Sequence, residues 1–342
     1  MTRRVELDWP HWQERALLGQ HQRSMQHRIL VYRMAPDAFA RLDFSDDAAF
    51  LHPLLLAAAR QPEPGRAIER SVLAPTRDGR AEIRDFTVYT AMDLLLQTYT
   101  PEEDQSVLLE VVHDEAAMAT LAKALNALEA LVPAYWRLLQ ATTRGFVFSR
   151  QERLRSFATE ALHGISFLSL PKHVSVPGLT EDVAHQCGHT LFSSMFPDPA
   201  PWDQVRASAI TGQADDRRSA YVVFHGVFTE SLIALALITA LETGFFELRD
   251  RHEAEGRLAF LLRKFASDLS CLMALSVDPE TEWGRIRGEM KDVFADVVRR
   301  ARGILRPMDL DGHGYDFDAQ VFFARNTSDD GHERAWAIPG PA

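Results

Sequence analysis

The chain has 342 residues, of which 46% are hydrophobic and 25% are charged, and its formal net charge is -11. This balance is typical of a globular protein with a substantial core, organised as one large or two modest domains. Lys and Arg are scattered without a basic run, which argues against nucleic acid as the main partner because phosphate binding needs a concentrated positive face. Two cysteines, Cys187 and Cys271, are too few for a disulfide framework.

No membrane segment is expected. The N-terminal stretch MTRRVELDWPHWQER carries charge and has no apolar core behind it, so it is not a signal peptide. The longest uncharged apolar run, Ser231 to Leu241, is too short to span a bilayer and is typical of a buried core helix. We therefore expect a cytoplasmic protein.

The first part of the chain, residues 1–150, predicts an N-terminal helical region. A helical arm covers residues 11–34, and apolar residues recur every three or four positions near Val88–Tyr99 and Glu115–Thr142. Both of these periodic stretches predict helices.

The second part, residues 151–305, contains the motifs that carry chemistry. Its segment ISFLSL predicts a short strand, and a turn leads from it into a helix with Thr180 as its expected N-cap. This helix must stop before the proline-rich stretch that begins at Pro197. The complete sequence predicts a mainly α (α+β) fold with an irregular C-terminal tail that packs on or over the core. Further helices are predicted at Arg217–Thr243, Glu253–Leu275 and Glu280–Ile304, and the tail covers residues 306–342.

The stretch EDVAHQCGH carries a candidate metal site. His185 and His189 stand four positions apart, which places both imidazoles on one helical face, close enough to share an ion. In metallopeptidases with the HExxH motif, the residue after the first histidine is a glutamate that acts as general base. Here that residue is Gln186, a neutral amide that cannot accept a proton. The substitution disfavours hydrolysis and leaves metal binding intact.

A third ligand is expected from the apolar stretch Asp215 to Leu237. The candidates are His225 and Glu230, two ionisable residues inside its strongly apolar helix, which would be costly to bury unpaired and which point about 140° apart. Arg218 and Tyr221 share the His225 face to within about 40°, which favours His225 as the ligand. Glu230 as the ligand would instead give a gluzincin-like zinc site.

Three segments together resemble the HExxH-type 2-oxoglutarate-dependent peptide β-hydroxylases of bacterial natural-product clusters. They are GISFLSLP, HQCGH and DDRRSAYVVFHGVF, and the last contains that family's arginine seven residues before a His-Gly-Val-aromatic element. The resemblance covers roughly residues 160–240, and Gln186 departs from the usual glutamate. It implies a zincin-like core in which His185, His189 and His225 hold Fe(II), while Arg218 binds a carboxylate of 2-oxoglutarate and Tyr221 lies in the pocket.

The sequence therefore predicts a non-haem Fe(II)/2-oxoglutarate-dependent oxygenase. The expected substrate is a peptide or a small amino-acid-derived molecule, free or carrier-bound, which is hydroxylated in natural-product biosynthesis. Two alternatives stay open. One is a gluzincin-like zinc hydrolase with His185, His189 and Glu230 as ligands, and the other is a catalytically inactive zincin-like binding protein, which Gln186 suggests.

Overall fold

The structure, a computed structural model, is mainly helical with a small mixed sheet, as the sequence predicts. It describes residues 7–34, 79–91, 93–100, 103–150, 155–158, 163–170, 174–196, 218–314 and 316–326. The helices within these residues are α1 (Trp9–Met34), α2 (Glu115–Leu131), α3 (Pro133–Thr142), α4 (Val176–Met195), α5 (Ala220–Thr243), α6 (Leu248–Met273), α7 (Glu282–Ala301) and α8 (Ala319–Asn326). The strands are β1 (Gly79–Ile83), β2 (Phe86–Ala91), β3 (Asp93–Thr100), β4 (Glu103–Glu110), β5 (Gly145–Ser149), β6 (Phe157–Ala158) and β7 (Ile165–Ser169).

Five strands form one sheet in the order β1-β2-β5-β7-β6. The central strands β2, β5 and β7 are parallel, whereas β1 and β6 join antiparallel at the two edges, and β3 and β4 form a separate hairpin. Every residue of β5 is buried, as expected for a central parallel strand covered on both faces. The strand predicted at ISFLSL is confirmed as β7 and leads directly to the helix that carries the HxxxH motif.

Two predictions for the first 150 residues are wrong. The stretch Val88–Tyr99 is extended, not helical, and belongs to β2 and β3. Strand β2, FTVYTA, is rich in the Thr, Val and Tyr that favour strands. The predicted helix Glu115–Thr142 is two helices, because Pro133 begins a new one after Val132. One sheet joins β1, β2 and β5, which precede the boundary predicted at residue 150, to β6 and β7, which follow it.

Helix α4 starts one turn earlier than predicted. Ser175, not Thr180, is its N-cap: the Ser175 hydroxyl oxygen accepts a hydrogen bond from the N–H of Gly178 at 3.1 Å. Pro177 in the first turn suits this start because its missing N–H would have no helical partner. Thr180 lies inside the helix and donates its hydroxyl to a backbone carbonyl one turn earlier. The helix ends at Met195, before the proline-rich stretch, as predicted.

Helix α1 holds the C-terminal end of α4. Arg15 donates a hydrogen bond to the carbonyl oxygen of Met195 at 3.1 Å, and Arg23 donates two to that of Ser193 at 3.2 and 2.9 Å. The backbones of α1 and α4 touch at Gly19, where a Cβ atom would lie 1.5 Å from the carbonyl oxygen of Ser194. These contacts satisfy carbonyls that a helix end leaves without intrahelical partners.

Helix α5 is the apolar core helix that the sequence predicts, packed between α4 and α6. It is long and apolar enough to span a membrane by length and composition, with a mean hydropathy of 1.8, but 72% of that window is buried inside the protein. It approaches α4 closely at Gly188, where a Cβ atom would lie 3.1 Å from Thr229. The glycine within HQCGH therefore allows the two helices to come together beside the histidines.

The C-terminal tail is less irregular than predicted. Helix α8 lies within it and packs on α6, with the buried Phe322 against Ala259 and close to Gly256. Residues 327–342 of the predicted tail lie outside the described residues. The three helices predicted before the tail correspond to α5, α6 and α7; the largest shift is that α6 already begins at Leu248.

Candidate metal centre and charged cavity

The partly exposed residues of α4 form one stripe. Glu181, Asp182, His185 and His189 are each accessible to solvent in part, whereas the residues between them are buried. Their spacing of three to four positions places them on one helical face, as the sequence predicts for the two histidines. His225 of α5 is also partly accessible and faces this stripe.

The structure brings His185, His189 and His225 into contact. Nε2 of His189 lies 3.0 Å from Nε2 of His185, and Nδ1 of His189 lies 2.7 Å from Nε2 of His225. A neutral imidazole has one N–H donor and one acceptor nitrogen, so a chain of three neutral rings can satisfy both contacts with one proton each. We call these three residues the imidazole cluster.

All three rings of the imidazole cluster are neutral at physiological pH. Burial, then the neighbouring His189 and Lys264, lowers the pKa of His185 well below its ordinary value. Burial and Lys264 lower the pKa of His189 to about 4. Burial, and then His189, lowers the pKa of His225 well below the ordinary range. A neutral imidazole has the free lone pair that a metal ligand needs.

The cluster is not arranged around one common point. Among the residues that the structure describes, no group of three or more His, Cys, Asp or Glu side chains has the arrangement of a metal site. The physical reason is that His189 uses opposite ring nitrogens towards its two neighbours. The Nε2 atoms of His185 and His189 do have a suitable separation, since two bonds of about 2.1 Å at a right angle span about 3 Å. His225 lies against the other nitrogen of His189.

An aromatic wall supports His225. Its ring stacks on Phe192 with a centroid distance of 4.5 Å and an interplanar angle of 20°. Tyr221, one turn earlier on α5, is mostly buried with its ring 5.8 Å from that of His225 and 6.3 Å from that of Trp283. The structure therefore places Tyr221 beside the imidazole cluster, within the packing that fixes the orientation of His225.

Gln186 and Asp182, two polar residues near the histidines of α4, differ in burial. Gln186 is 2% exposed, and its Oε1 atom accepts no hydrogen bond from any described residue. Asp182 is partly exposed on the histidine stripe and accepts a hydrogen bond from the hydroxyl of Ser156 at 3.0 Å. Burial, followed by the neighbouring Glu181, raises the pKa of Asp182 to about 7. A carboxyl group that titrates near neutral pH can transfer protons.

Arg218 precedes helix α5, so the helical spacing used to place it does not apply. The N-cap of α5 is Ser219, whose hydroxyl accepts from the N–H of Val222 at 3.3 Å. The two terminal nitrogens of Arg218 donate to the two carboxylate oxygens of Asp268 on α6, at 2.9 and 2.7 Å. This bidentate pair is the strongest geometry for an arginine and a carboxylate.

Glu230 contacts a lysine and not the histidines. Its Oε1 lies 3.5 Å from Nζ of Lys264, longer than a normal hydrogen bond, and neither of its carboxylate oxygens accepts a hydrogen bond from a described residue. Burial, and then Asp268, raises the pKa of Glu230 to about 8. The structure thus brings His225, and not Glu230, to His189. We call Arg218, Asp268, Lys264 and Glu230 the charged quartet.

Three members of the charged quartet line a cavity of about 670 Å³. Its wall runs along α6 to the segment 310–314 of the C-terminal tail and combines charged side chains with apolar surface. The lining residues are Arg218, Phe260, Arg263, Lys264, Ser267, Asp268, Leu310, Asp311, Gly312, His313 and Gly314.

Sequence reasoning missed the residues that α6 contributes to this cavity. Phe260, Lys264 and Ser267 recur at helical spacing on the less buried side of α6, while Asp268 is buried next to them. A buried aspartate four residues after a lysine in an amphipathic helix is the signal that could have identified them.

Comparison with known proteins adds no relative. No protein-family model matches the chain, and no curated protein matches it.

Proposed function

We propose that the protein is a non-haem Fe(II)/2-oxoglutarate-dependent oxygenase that hydroxylates a peptide or an amino-acid-derived substrate. The observation that carries this proposal is the contact of three neutral imidazoles from α4 and α5 next to a cavity with cationic walls. His185, His189 and His225 would hold the iron. The finer assignment of the fold as a zincin-like core belongs to the same proposal, and the path from β7 into α4 supports it.

The chemistry of the donors fits the metal, although His225 would have to turn to share one point with His185 and His189. Neutral imidazole suits iron and zinc, and burial keeps these three rings unprotonated. Bound iron supplies the oxidising chemistry, whereas the protein supplies ligands, orientation and exclusion of water. Gln186 suits this role because a buried neutral amide adds no charge beside the ion and takes no proton.

The cavity fits an acidic co-substrate. Three cationic side chains line it, namely Arg218, Arg263 and Lys264, against two carboxylates, Asp268 and Asp311. A positive excess on a partly desolvated wall favours a carboxylate ligand. The family resemblance adds that this acid would be 2-oxoglutarate.

One observation favours a second candidate function, a zinc-dependent hydrolase. Asp182 lies three residues before His185 on the same face, with a pKa near 7, and could act as the general base that Gln186 cannot be. Glu230 is a poor ligand for such a site, because its described ion-pair partner is Lys264.

Anaerobic reconstitution with Fe(II) and 2-oxoglutarate tests the proposal. We expect one iron per chain, a weak visible charge-transfer band when 2-oxoglutarate is added, and succinate formation when O₂ is admitted. Iron that binds without the band and without succinate would refute the oxygenase. Hydrolysis of a peptide library by the zinc-loaded protein, abolished by Asp182→Asn, would establish the second candidate.

Single replacements then separate the roles of the histidines. His185→Phe and His189→Phe should abolish metal binding. His225→Phe should do the same if His225 is a ligand, and should weaken affinity only about 10–100-fold if it orients His189 from outside the metal's coordination sphere. His252→Gln, on the half-exposed face of α6, is the matched control and should bind iron as the native protein does.

A further inference from the structure

We propose that part of the C-terminal segment is a gate of the cavity. Residues 311–314, 316 and 317, which we call the strap, connect the buried Leu310 to helix α8, and residues 311–314 line the cavity together with α6. The strap moves away from α6 about its two ends while α8 stays in place, and this motion widens the mouth of the cavity for a ligand. His313 is the latch. The inference goes beyond the proposed function, because the motion needs neither metal nor co-substrate.

Both ends of the strap are fixed on α8. Before the strap, the N–H of Asp309 donates to Oδ1 of Asn326 at 2.8 Å, and Nδ2 of Asn326 donates to the carbonyl oxygen of Asp309 at 2.8 Å. After the strap, Oδ1 of Asp318 accepts the N–H groups of Gln320 and Val321 at 2.8 and 3.1 Å, which caps the first turn of α8. These hydrogen bonds do not involve α6, so they are kept when the strap moves.

Helix α8 is in turn held firmly on α6. Phe322 is fully buried against Ala259, and a Cβ atom at Gly256 would lie 2.5 Å from the ring of Phe322. Leu310, next to the first end of the strap, belongs to the same buried cluster. The ends of the strap are therefore attached to a fixed base, whereas most of the residues between them are exposed.

Aromatic side chains hold the strap against α6. The ring of His313 lies 5.2 Å from that of Phe260, and the guanidinium group of Arg257 lies over the ring of Phe317 at 4.9 Å. The rings of His313 and Phe317 also stack on each other, with a centroid distance of 4.8 Å and an interplanar angle of 17°. Because both rings belong to the strap, they move as one unit.

The rest of the strap is loosely attached. Asp316 pairs with Arg155 at 2.9 Å, but both side chains are more than half exposed, which makes the pair weak. A Cβ atom at Gly314 would meet no described atom within 4 Å. Gly312 has a φ of 81°, a backbone conformation that favours glycine and turns the chain. The closed position of the strap therefore depends on the contacts of its two aromatic rings.

The latch also carries an unfavourable group. Nδ1 of His313 accepts the backbone N–H of Asp318 at 3.0 Å, so the ring carries its proton on Nε2. Nε2 is buried and has no hydrogen-bond partner among the described residues. A buried donor without a partner opposes the packing that buries it, and water can reach this N–H once the strap opens. The stacking of His313 thus favours the closed position, and its Nε2–H favours the open one.

Distances between two spin labels, measured by pulsed EPR on protein without metal or co-substrate, test the gate. The labels are attached at Gly314→Cys in the strap and at Ala295→Cys on α7, which are exposed positions, whereas the two native cysteines are buried. We expect two populations of distances. The matched control pair, Gln320→Cys on α8 with Ala295→Cys, should give one population.

A single population for the strap pair would overturn the proposal, and so would two populations for the control pair, because α8 would then move as well. Asp316→Cys offers a second exposed label position in the strap if Gly314→Cys does not fold. Neither result bears on the oxygenase proposal, since the measurement involves no iron and no 2-oxoglutarate.

Two replacements of His313 should act in opposite directions. His313→Ala removes the contact with Phe260 and should raise the ratio of open to closed strap about fivefold. His313→Phe keeps an aromatic ring but removes the buried donor, and should lower this ratio about tenfold. A residue that only supports the fold would shift the ratio in the same direction in both variants. If His313→Phe opens the strap as much as His313→Ala does, His313 is not the latch.

Discussion

The imidazole cluster and the charged quartet lie side by side but are buried by opposite means. The three histidines are tolerated because their rings are neutral at physiological pH. His225 also stacks on Phe192. The quartet keeps the charges of Arg218 and Asp268 inside by pairing them, whereas Glu230 beside Lys264 keeps its proton at neutral pH. The difference teaches that histidines can be buried by becoming neutral, whereas an arginine and an aspartate can be buried by pairing.

Breaking the tight pair should give the largest effect on stability. Arg218→Met leaves Asp268 buried and unpaired, and we expect a loss of about 3 kcal/mol in the free energy of unfolding. This figure is at the low end for a buried pair because the Arg218 side chain is one-third exposed. Urea unfolding at neutral pH measures it.

The control for this prediction is an exposed ion pair of the same type. Arg155 and Asp316 lie 2.9 Å apart with both side chains more than half exposed. Arg155→Gln should therefore cost less than about 1 kcal/mol. Equal losses for the two variants would mean that the Arg218–Asp268 pair is not buried in solution.

The loose pair should be visible in the pH dependence of stability. The pKa of Glu230 is raised from 4.5 to about 8 in the folded protein, so between these values the folded state keeps a proton that the unfolded state has lost. Its stabilising contribution is complete below pH 4.5 and disappears as the pH rises through 8, with a slope of at most about 1.4 kcal/mol per pH unit. Glu230→Gln should remove this slope.

The pH dependence of stability that the imidazole cluster contributes has the opposite sign, so it can be compared with that of Glu230 in the same protein. The pKa of His189 falls from 6.5 to about 4, so its contribution is complete above pH 6.5 and is lost as the pH falls towards 4. The difference in free energy of unfolding between the native protein and Glu230→Gln should change steadily from pH 5 to 8 and level off above pH 8. A constant offset across the range would show that Glu230 does not hold its proton.

The smallest effect is expected at the contact that brings α4 to α5. A Cβ atom at Gly188 would lie 3.1 Å from Thr229 and 3.2 Å from Leu232, so Gly188→Ala must push the helices slightly apart. Overpacking costs about 1–3 kcal/mol, and the better helix propensity of alanine offsets about 1 kcal/mol of it. We expect a net loss of about 1 kcal/mol together with weaker metal binding, because His189 and His225 separate.

Gly226→Ala is the control for that variant. It faces Asp268 of α6 and not α4, and the new Cβ atom would meet only the Asp268 side chain, at an ordinary 3.7 Å. It should be neutral or slightly stabilising, with metal binding unchanged. If both variants weaken metal binding equally, the effect lies in α5 itself and not in its packing against α4.

Helical periodicity was enough to predict that His185 and His189 share a face, whereas His225 was chosen over Glu230 from its polar neighbours and from the family resemblance. His185 and His189 are related by a local rule, and His225 lies in a long apolar helix that has to pack against its neighbours. The metal and its identity stay predictions. The sequence also gave the wrong secondary structure for Val88–Tyr99, where an apolar recurrence of three to four resembled a helix but pairing with β1 and β5 decided for strands.

The charged quartet could not be predicted in the same way. Arg218 was placed by helical spacing from His225, but α5 begins only after it, so its side chain takes a direction set by Asp268, 50 positions along the chain. Lys264 joins Glu230 through the packing of α5 against α6. Which acid pairs with which base depends on tertiary structure, and helical periodicity describes one helix at a time.

The arginines of α1 have a consequence for the position of the histidines on α4. Arg23 clamps the end of α4 from 170 positions away in sequence, and a glycine sets the contact distance. Sliding α1 along its axis would therefore drag α4, and the imidazoles with it, out of register with α5. A protein engineered with an altered first helix should lose the alignment of its histidines before it loses its global stability.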